Sequence, residues 1–456
     1  MQRAVGNLEG YNFQFNPTET FPKKWKYANI LPIFKSGDPQ TISNYRPISL
    51  LSLVSKVFEK MLYNKIYNYC LKNNILTPKN SGFKKMDSTI NQLVHLSQLI
   101  YKGLDDEMKI GMIFLDITKA FDKTWHRGFI FKLFEIGIRG KLLHLLSSYL
   151  SGRYQRVVLN GSQSHFLEIV SGVPQGSLLG PLLFLIYLND IVAEIKCLIY
   201  LFADDTTLVS IAENWVVVES ELQLALSCLE SWAGKWLINF NPLKTVYMLV
   251  TKKSEQNTKL TLNIKNSEIM KVNEHKHLGI VFNSRFTWCD HIAYICRKAS
   301  KKLGLLYKNR KKFTRSILIK LFNTTVVPFI DYGSILYDGM TISDSKKIEN
   351  LLRRGALICT GAISRTETSK LLYDLGWTSL KLRRLKSKLI LLFKIAHNLS
   401  PCYLTDVFYS LQINLNRPTT RSVSNFEIMS HFCKTNIYIN CPSFLQLLLN
   451  GINYHH

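Results

Sequence analysis

Two adjacent aspartates, Asp204 and Asp205, interrupt a run of apolar residues between Leu198 and Ile211. A third, Asp116, follows the apolar stretch Ile110 to Leu115. Aspartates favour turns and solvate readily, so the pair alone has an ordinary structural explanation. Asp116 changes the balance, because a carboxylate ending an apolar strand is costly unless it is paired or bound to metal. If the two β elements are neighbours in one sheet, two or three carboxylates converge, and adjacent sequence supplies no cation. Like charges that close either take up a proton or require a divalent ion. Hard carboxylate oxygens suit Mg²⁺, which keeps waters and draws further ligands from substrate phosphates. Two such ions ~3.5–4 Å apart can activate one oxygen and stabilise the leaving one in an in-line phosphoryl transfer.

The elements that must position these groups are legible in outline. Lys109 to Asp116 reads as a strand delivering Asp116 at its carboxyl end, and a helix is expected from Thr118 through Phe121, Trp125 and Phe129. Leu198 to Ile211 reads as a hairpin with both aspartates at its tip. Trp25 to Phe34 is expected to be a strand ending at the turn Lys35-Ser36-Gly37-Asp38-Pro39. Helical spacing marks 50–72, 88–101, 139–150 and 216–236, and Asn160-Gly161 signals a hairpin within Val157 to Val170. The loop Gly172-Val173-Pro174-Gln175-Gly176-Ser177 precedes an apolar helix reaching about Asp190, and strands are expected at 246–251, 260–264 and 277–282. Residues 1–285 are therefore α+β around an antiparallel sheet, and 286–400 are helical.

Composition limits the function. Among 456 residues, 58 Lys+Arg against 32 Asp+Glu give a net charge of +26, which favours a polyanionic partner. Residues 286–400 hold 22 Lys+Arg and 7 Asp+Glu, in bursts at Lys301-Lys302, Lys308 to Arg315, Arg353-Arg354 and Lys381 to Lys388. Leucines and isoleucines between them suggest amphipathic helices with basic, phosphate-tracking faces. Between Arg156 and Lys235 the only Lys or Arg is Lys196, so the acidic residues there invite a specific explanation. No ~20-residue apolar run suits a membrane span, and no secretory signal opens the chain. Nine scattered cysteines do not read as a disulfide framework, and Cys289, His291 and Cys296 lack the neighbours of a zinc site. The expectation is an intracellular protein, nuclear or cytoplasmic, neither secreted nor membrane-bound.

Several ordered blocks carry a resemblance. Phe114-Leu115-Asp116-Ile117-Thr118-Lys119-Ala120-Phe121-Asp122, Ser171-Gly172-Val173-Pro174-Gln175-Gly176-Ser177 with Leu178-Leu179-Gly180-Pro181, and Phe202-Ala203-Asp204-Asp205 resemble the palm motifs of reverse transcriptases. Upstream, Leu31 to Asp38 and Asn44 to Leu51 resemble fingers motifs. Downstream, Asn241-Pro242-Leu243-Lys244-Thr245 and His277-Leu278-Gly279-Ile280 resemble later palm blocks. The branch is similar to non-LTR, LINE-type retrotransposons of the jockey kind. It implies a right-hand polymerase fold: fingers over 1–108, palm over 109–285, a basic helical thumb and extension over 286–400, and a degenerate tail over 401–456. The reverse transcriptase domain would span about 22–285.

The resemblance also implies roles. Asp116 and Asp204 would be the principal ligands of two Mg²⁺ ions, for which Mn²⁺ could substitute, with Asp205 weaker and the Ile117 carbonyl a further ligand. Lys35 and Arg46 would clamp the incoming triphosphate. Phe121 would lie under the sugar and exclude a 2′-hydroxyl. Gln175 would sit beside the nascent base pair, with Gly176 letting backbone approach the substrate. Lys244 would donate a proton to the departing pyrophosphate. The partners implied are an RNA template, a DNA primer and dNTPs. Each residue has a structural alternative: a surface turn for Arg46, core packing for Phe121, a turn for Lys244, loop bracing for Gln175. Asp122 reads as an exposed helix residue.

Full-length elements of this kind place an endonuclease ahead of the polymerase, and the chain begins near the first fingers block. A truncated or degenerate copy, or an incomplete gene model, is expected. The leading function is RNA-directed DNA polymerase. The alternatives are a remnant that binds nucleic acid without turnover and, more weakly, a two-metal nuclease, which needs no triphosphate clamp.

Overall fold

The computed structural model describes residues 20–118, 120–251 and 258–406. Its elements run β1 (Tyr27–Phe34), β2 (Tyr45–Leu50), α1 (Leu53–Lys72), α2 (Thr89–Asp105), β3 (Lys109–Leu115), α3 (His126–Glu135), α4 (Gly140–Leu150), β4 (Arg153–Leu159), β5 (Ser162–Gln163), β6 (Leu167–Ile169), α5 (Gly180–Leu188), β7 (Leu198–Phe202), β8 (Asp205–Ala212), α6 (Trp215–Lys235) and β9 (Val246–Val250). Short strands β10 (Asn263–Ile264), β11 (Ser267–Glu268), β12 (Met270–Lys271), β13 (Glu274–His277) and β14 (Ile280–Asn283) follow. The helices α7 (Cys289–Asn309), α8 (Arg315–Thr325), α9 (Val327–Asp331), α10 (Ile342–Thr360), α11 (Thr368–Leu375) and α12 (Leu380–Ala396) complete the order.

The larger sheet has the order β12-β9-β3-β8-β7, with β3 antiparallel to both β8 and β9. Strand β3 is apolar on both faces because both are covered. Ile113 and Leu115 join a core with α1, α3, α4, α5 and α6, while Ile110, Met112 and Phe114 join a second core with α2 and the helices from α7 onward. That two-sided burial turns the strand into a continuous hydrophobic run. Helix α5 is apolar all round and buried except at Pro181 for the same reason. The second sheet joins β1 antiparallel to β2 and parallel to β4, with β5 and β6 also on β4. Asn160-Gly161 makes the expected hairpin, both residues at positive φ (49° and 82°).

Four expectations need correction. Trp25 lies in a 3₁₀ turn, Lys23–Lys26, ahead of the first strand. No α-helix starts at Thr118; a 3₁₀ turn, Ala120–Asp122, comes first, and α3 begins at His126. The cause is the Gly172 loop, whose Val173 N–H bonds the Phe121 carbonyl (2.8 Å) and whose Gly172 N–H bonds the Thr124 carbonyl (2.8 Å). The strand expected at 260–264 is reduced to Asn263–Ile264. The basic burst Lys381 to Lys388 is not wholly a phosphate-facing surface. Arg384 Nε bonds Asp338 (2.7 Å), Lys388 pairs with the same carboxylate and Arg383 with Asp331. Lys301, Lys302, Lys308, Lys311 and Lys312 remain exposed.

The acidic stretch also has structural work. Asp190 meets the buried Lys132 (2.6 Å) and the Trp232 indole N–H (2.9 Å), and Glu221 accepts from Ser210 (2.7 Å). His291 is buried in the core, its Nδ1 accepting from the Val281 N–H (3.3 Å), and among the described residues it forms no metal-holding group with Cys289 and Cys296. Among the described residues, no helix is long and apolar enough to cross a membrane. Residues 1–19, Lys119 and most of the tail read at 401–456 lie outside the described residues.

Candidate active site

The three aspartates lie where β3 and the β7–β8 hairpin end together. Phe202 pairs with Asp205 across a two-residue turn, Ala203-Asp204, with Ala203 at φ +57°. Strand β3 pairs with β8 as far as Leu115 opposite Thr206, so Asp116 emerges beside Asp205. Their charges are felt mutually. Partial desolvation first, then Asp204 and Asp116, push the Asp205 carboxyl up to about 6. Asp204 is raised by desolvation and by Asp116, against the opposing charges of Lys35 and Arg46.

Ile117 follows directly and bridges to Phe240. The flanking bonds, Asn241 N–H to the Asp116 carbonyl (2.9 Å) and Thr118 N–H to the Asn239 carbonyl (2.8 Å), make this a non-hydrogen-bonded pair. The Ile117 carbonyl therefore points away from Phe240, toward the side of the sheet that carries β8. The next turn is held by Asn241, whose side chain accepts from Leu243 N–H (3.1 Å) and whose carbonyl accepts from Lys244 N–H (3.2 Å). It brings Lys244 Nζ to 3.5 Å from Asp116 Oδ2. Among the described residues, no three His, Cys, Asp or Glu side chains are grouped closely enough to hold a metal ion on their own. Two carboxylates and a backbone carbonyl fit a hard ion that takes its remaining ligands from phosphate or water.

Lys35 and Arg46 come from the β1–β2 hairpin. Ile33 pairs with Arg46, and Lys35 lies two residues beyond Ile33, so strand alternation places both cations on one face. The Lys35 N–H to Asn44 carbonyl bond (2.9 Å) closes that end of the hairpin.

Phe121 is half-buried, its ring stacked on Phe184 of α5 (4.6 Å between centroids) and met edge-on by Phe83 (6.0 Å). Gln175 donates from Nε2 to Asp122 (2.8 Å), and its carbonyl accepts from Ser49 N–H (2.7 Å). The bracing alternative thus describes the Gln175 side chain as it stands, and Asp122 is its acceptor. Gly176, at φ +123°, allows a close approach to β2, since a Cβ there would lie 2.7 Å from the Ser49 carbonyl oxygen.

Two features escape the sequence reading. Glu59, fully buried on α1, accepts from the Leu178 and Leu179 N–H groups (2.9 and 3.3 Å) that open α5. No local pattern marks it, because its partners lie about 120 residues away. Segment 79–83 lies against β7. Ser81 N–H bonds the Leu201 carbonyl (2.8 Å), Leu201 N–H bonds the Lys79 carbonyl (3.0 Å), and Gly82 packs directly on the Ala203 backbone. The turn-forming composition of Pro78-Lys79-Asn80-Ser81-Gly82 is the one local signal for that segment.

Comparison with known proteins matches residues 33–282 to the family described as reverse transcriptase (RNA-dependent DNA polymerase). The chain is 30% identical over 346 residues to the probable RNA-directed DNA polymerase from transposon BS of Drosophila melanogaster, covering 73% of this chain and 38% of the relative. It is 28% identical over 355 residues to the RNA-directed DNA polymerase from mobile element jockey of the same species, covering 75% and 38%. This chain thus spans well under half the length of either relative. Among solved structures, apo telomerase from Candida tropicalis aligns with a TM-score of 0.44 at 12% identity, covering 79% of this chain and 62% of the telomerase chain. With its family match running from the β1–β2 hairpin to β14, across all three aspartates, the chain belongs to the reverse transcriptase family.

Proposed function

We propose that this chain is the RNA-directed DNA polymerase of a jockey-like non-LTR retrotransposon, adding dNTPs to a DNA 3′ end along an RNA template. One observation carries the reading. Three aspartates lie at the ends of β3 and the β7–β8 hairpin, and the charges of Lys35 and Arg46 from a separate sheet reach Asp204. Carboxylates that feel the charge of cations from a separate sheet suit a metal-bound triphosphate, and a nuclease has no use for that second set. The larger sheet would be the palm, the β1–β2 region the fingers, and the basic helices from α7 onward the thumb, holding an A-form duplex by backbone and shape.

The family works with divalent metal. Here Asp116, Asp204 and the Ile117 carbonyl, with Asp205 outermost, would hold it, and Mg²⁺ suits these hard oxygens with Mn²⁺ as a substitute. Bound there, it would stabilise charge on the attacking and leaving oxygens. Lys35 and Arg46 bind and orient the triphosphate, Arg46 through its planar fork. Lys244, 3.5 Å from Asp116, would supply a proton as pyrophosphate leaves. Phe121 meets the sugar from below, and Gln175 positions the loop beside the nascent pair.

Primer extension on poly(rA)/oligo(dT) with Mg²⁺ tests the proposal. Templated extension that stops on chelation supports it. Tight duplex binding with no extension under Mg²⁺ or Mn²⁺ would leave the non-catalytic binder in its place.

A further inference from the structure

Phe83 stands out among the residues that the mechanism does not use. Its ring is 45% exposed although its backbone is left-handed, at φ +57°. Bulky residues rarely hold that conformation, and it persists where the surroundings impose it. They do so here. Gly82 is pressed onto the Ala203 backbone of the catalytic turn, Ser81 N–H is bonded to β7, and Lys85 N–H is bonded to the Tyr67 hydroxyl (3.0 Å). The loop shows its apolar side chains outward: Met86, also at positive φ (65°), is 56% exposed. Meanwhile the neighbouring Lys84 ammonium is turned back onto the Thr77 carbonyl, and the Lys85 ammonium lies over the Tyr67 ring (5.3 Å). A loop with a free choice would solvate Lys84 and bury its phenylalanine.

The ring's neighbour gives the direction. Phe121 stacks on Phe184 and meets Phe83 in a T-shaped contact, at an interplanar angle of 85°. We propose that Phe83 is the second wall of the sugar-selecting pocket, fixing the Phe121 ring from the cleft side and narrowing the space open to a 2′-hydroxyl. The proposal rests on the reading of Phe121 as the ring beneath the sugar. Phe83 is on this account a specificity-determining and positioning residue of the polymerase. Its attachment to the catalytic turn keeps that wall in register with Asp204.

The test is single-nucleotide kinetics with dTTP and UTP on one RNA template, on the full chain, for Phe83→Gly, Phe83→Ala and Phe121→Val, each beside a melting curve. Glycine relieves the left-handed backbone while removing the ring, so this variant folds even if alanine is strained. Phe83→Gly should lower dTTP-over-UTP discrimination about tenfold, within the range by which apolar pockets discriminate. Template–primer affinity should stay within about twofold. A merely structural role would reduce use of both nucleotides equally and leave the ratio unmoved. If Phe121→Val relaxes selection and neither Phe83 variant does, the proposal is overturned and the Phe121 reading stands. If all three folded variants keep the wild-type ratio, the Phe121 reading fails and the Phe83 wall falls with it. Relaxation by Phe83→Gly with an unmoved Phe121→Val would also overturn the proposal, because the wall is defined by its contact with Phe121.

Discussion

Adding one methyl group at Gly82 should slow nucleotide incorporation far more than it unfolds the protein. A Cβ built there overlaps the Ala203 backbone nitrogen, and lies 3.0 Å from the Phe202 carbonyl carbon and 3.1 Å from Ala203 Cα. These are backbone atoms, so no side-chain rotation relieves the overlap. Carbon contacts settle near ~3.5–4.0 Å, and the loop or the hairpin must therefore retreat by about 1 Å. Overpacking of this kind costs about 1–3 kcal/mol of stability. The hairpin turn carries Asp204, and a displacement near 1 Å at a reacting centre costs on the order of 10²-fold in rate. The assay is single-turnover extension of a preformed template–primer complex by Gly82→Ala, beside its binding constant and urea unfolding curve. Gly234→Ala is the matched control: nothing lies within 4 Å of the added carbon, so it should stabilise by about 0.4–1 kcal/mol and leave the rate unchanged. A folded Gly82→Ala protein with wild-type turnover would refute the coupling between segment 79–83 and the catalytic turn.

Asp116→Asn and Asp204→Asn should each abolish incorporation while leaving duplex affinity within a few-fold; more than a tenth or so of wild-type turnover in either would rule out a ligand role. Replacing the exposed Lys308, Lys311 and Lys312 with Gln should lower the log–log salt slope of duplex binding by roughly 0.7–0.9 for each phosphate that is no longer neutralised. Arg384→Met should leave that slope unchanged but cost about 1–3 kcal/mol of stability, because Arg384 is buried against Asp338. A slope that falls with Arg384 and not with the lysines would reverse the assignment. Burial depresses the Lys132 ammonium to about 8 despite the nearby Asp190 carboxylate. Between about 8 and the ordinary lysine value, the unfolded chain binds a proton that the folded protein has released. The stability of wild type relative to Lys132→Met should therefore rise with pH, by about 1–2 kcal/mol from roughly pH 7.5 to 9.5. Denaturant unfolding at both pH values reads this, and a flat difference would contradict the burial.

The candidate site was more legible than the architecture around it. Asp116 and the Asp204-Asp205 pair declare themselves because an apolar run ending in a carboxylate violates local economy, and the β3–β8 register then makes them neighbours. Lys35, Arg46 and Phe121 needed the family resemblance, since nothing in their local pattern sets them apart from surface or core residues. The helix expected from Thr118 failed because the competitor for its carbonyls, the Gly172 loop, lies about 50 residues away. Glu59 and Gly82 were invisible for the same reason: each is defined by a partner more than a hundred positions distant. Misreadings of charge on α12 have a simpler origin. Composition counts Arg383, Arg384 and Lys388 as surface cations, and only the fold reveals that Asp331 and Asp338 hold them.

Strand β3 carries Asp116 at its tip and is buried on both faces. By contrast, Ile33, Phe34 and Leu50 on the β1–β2 hairpin are well exposed. The reaction centre is thus divided into a stiff half and a compliant half. Amide hydrogens along β3 should be among the last to exchange, opening only with the whole molecule, while those of the β1–β2 hairpin exchange through local fluctuations. Thermal motion then varies the gap between the carboxylates and the Lys35 and Arg46 cations chiefly from one side. On the proposed function, a nucleotide would enter and a pyrophosphate leave by flexing of the hairpin, with the carboxylate of β3 staying fixed.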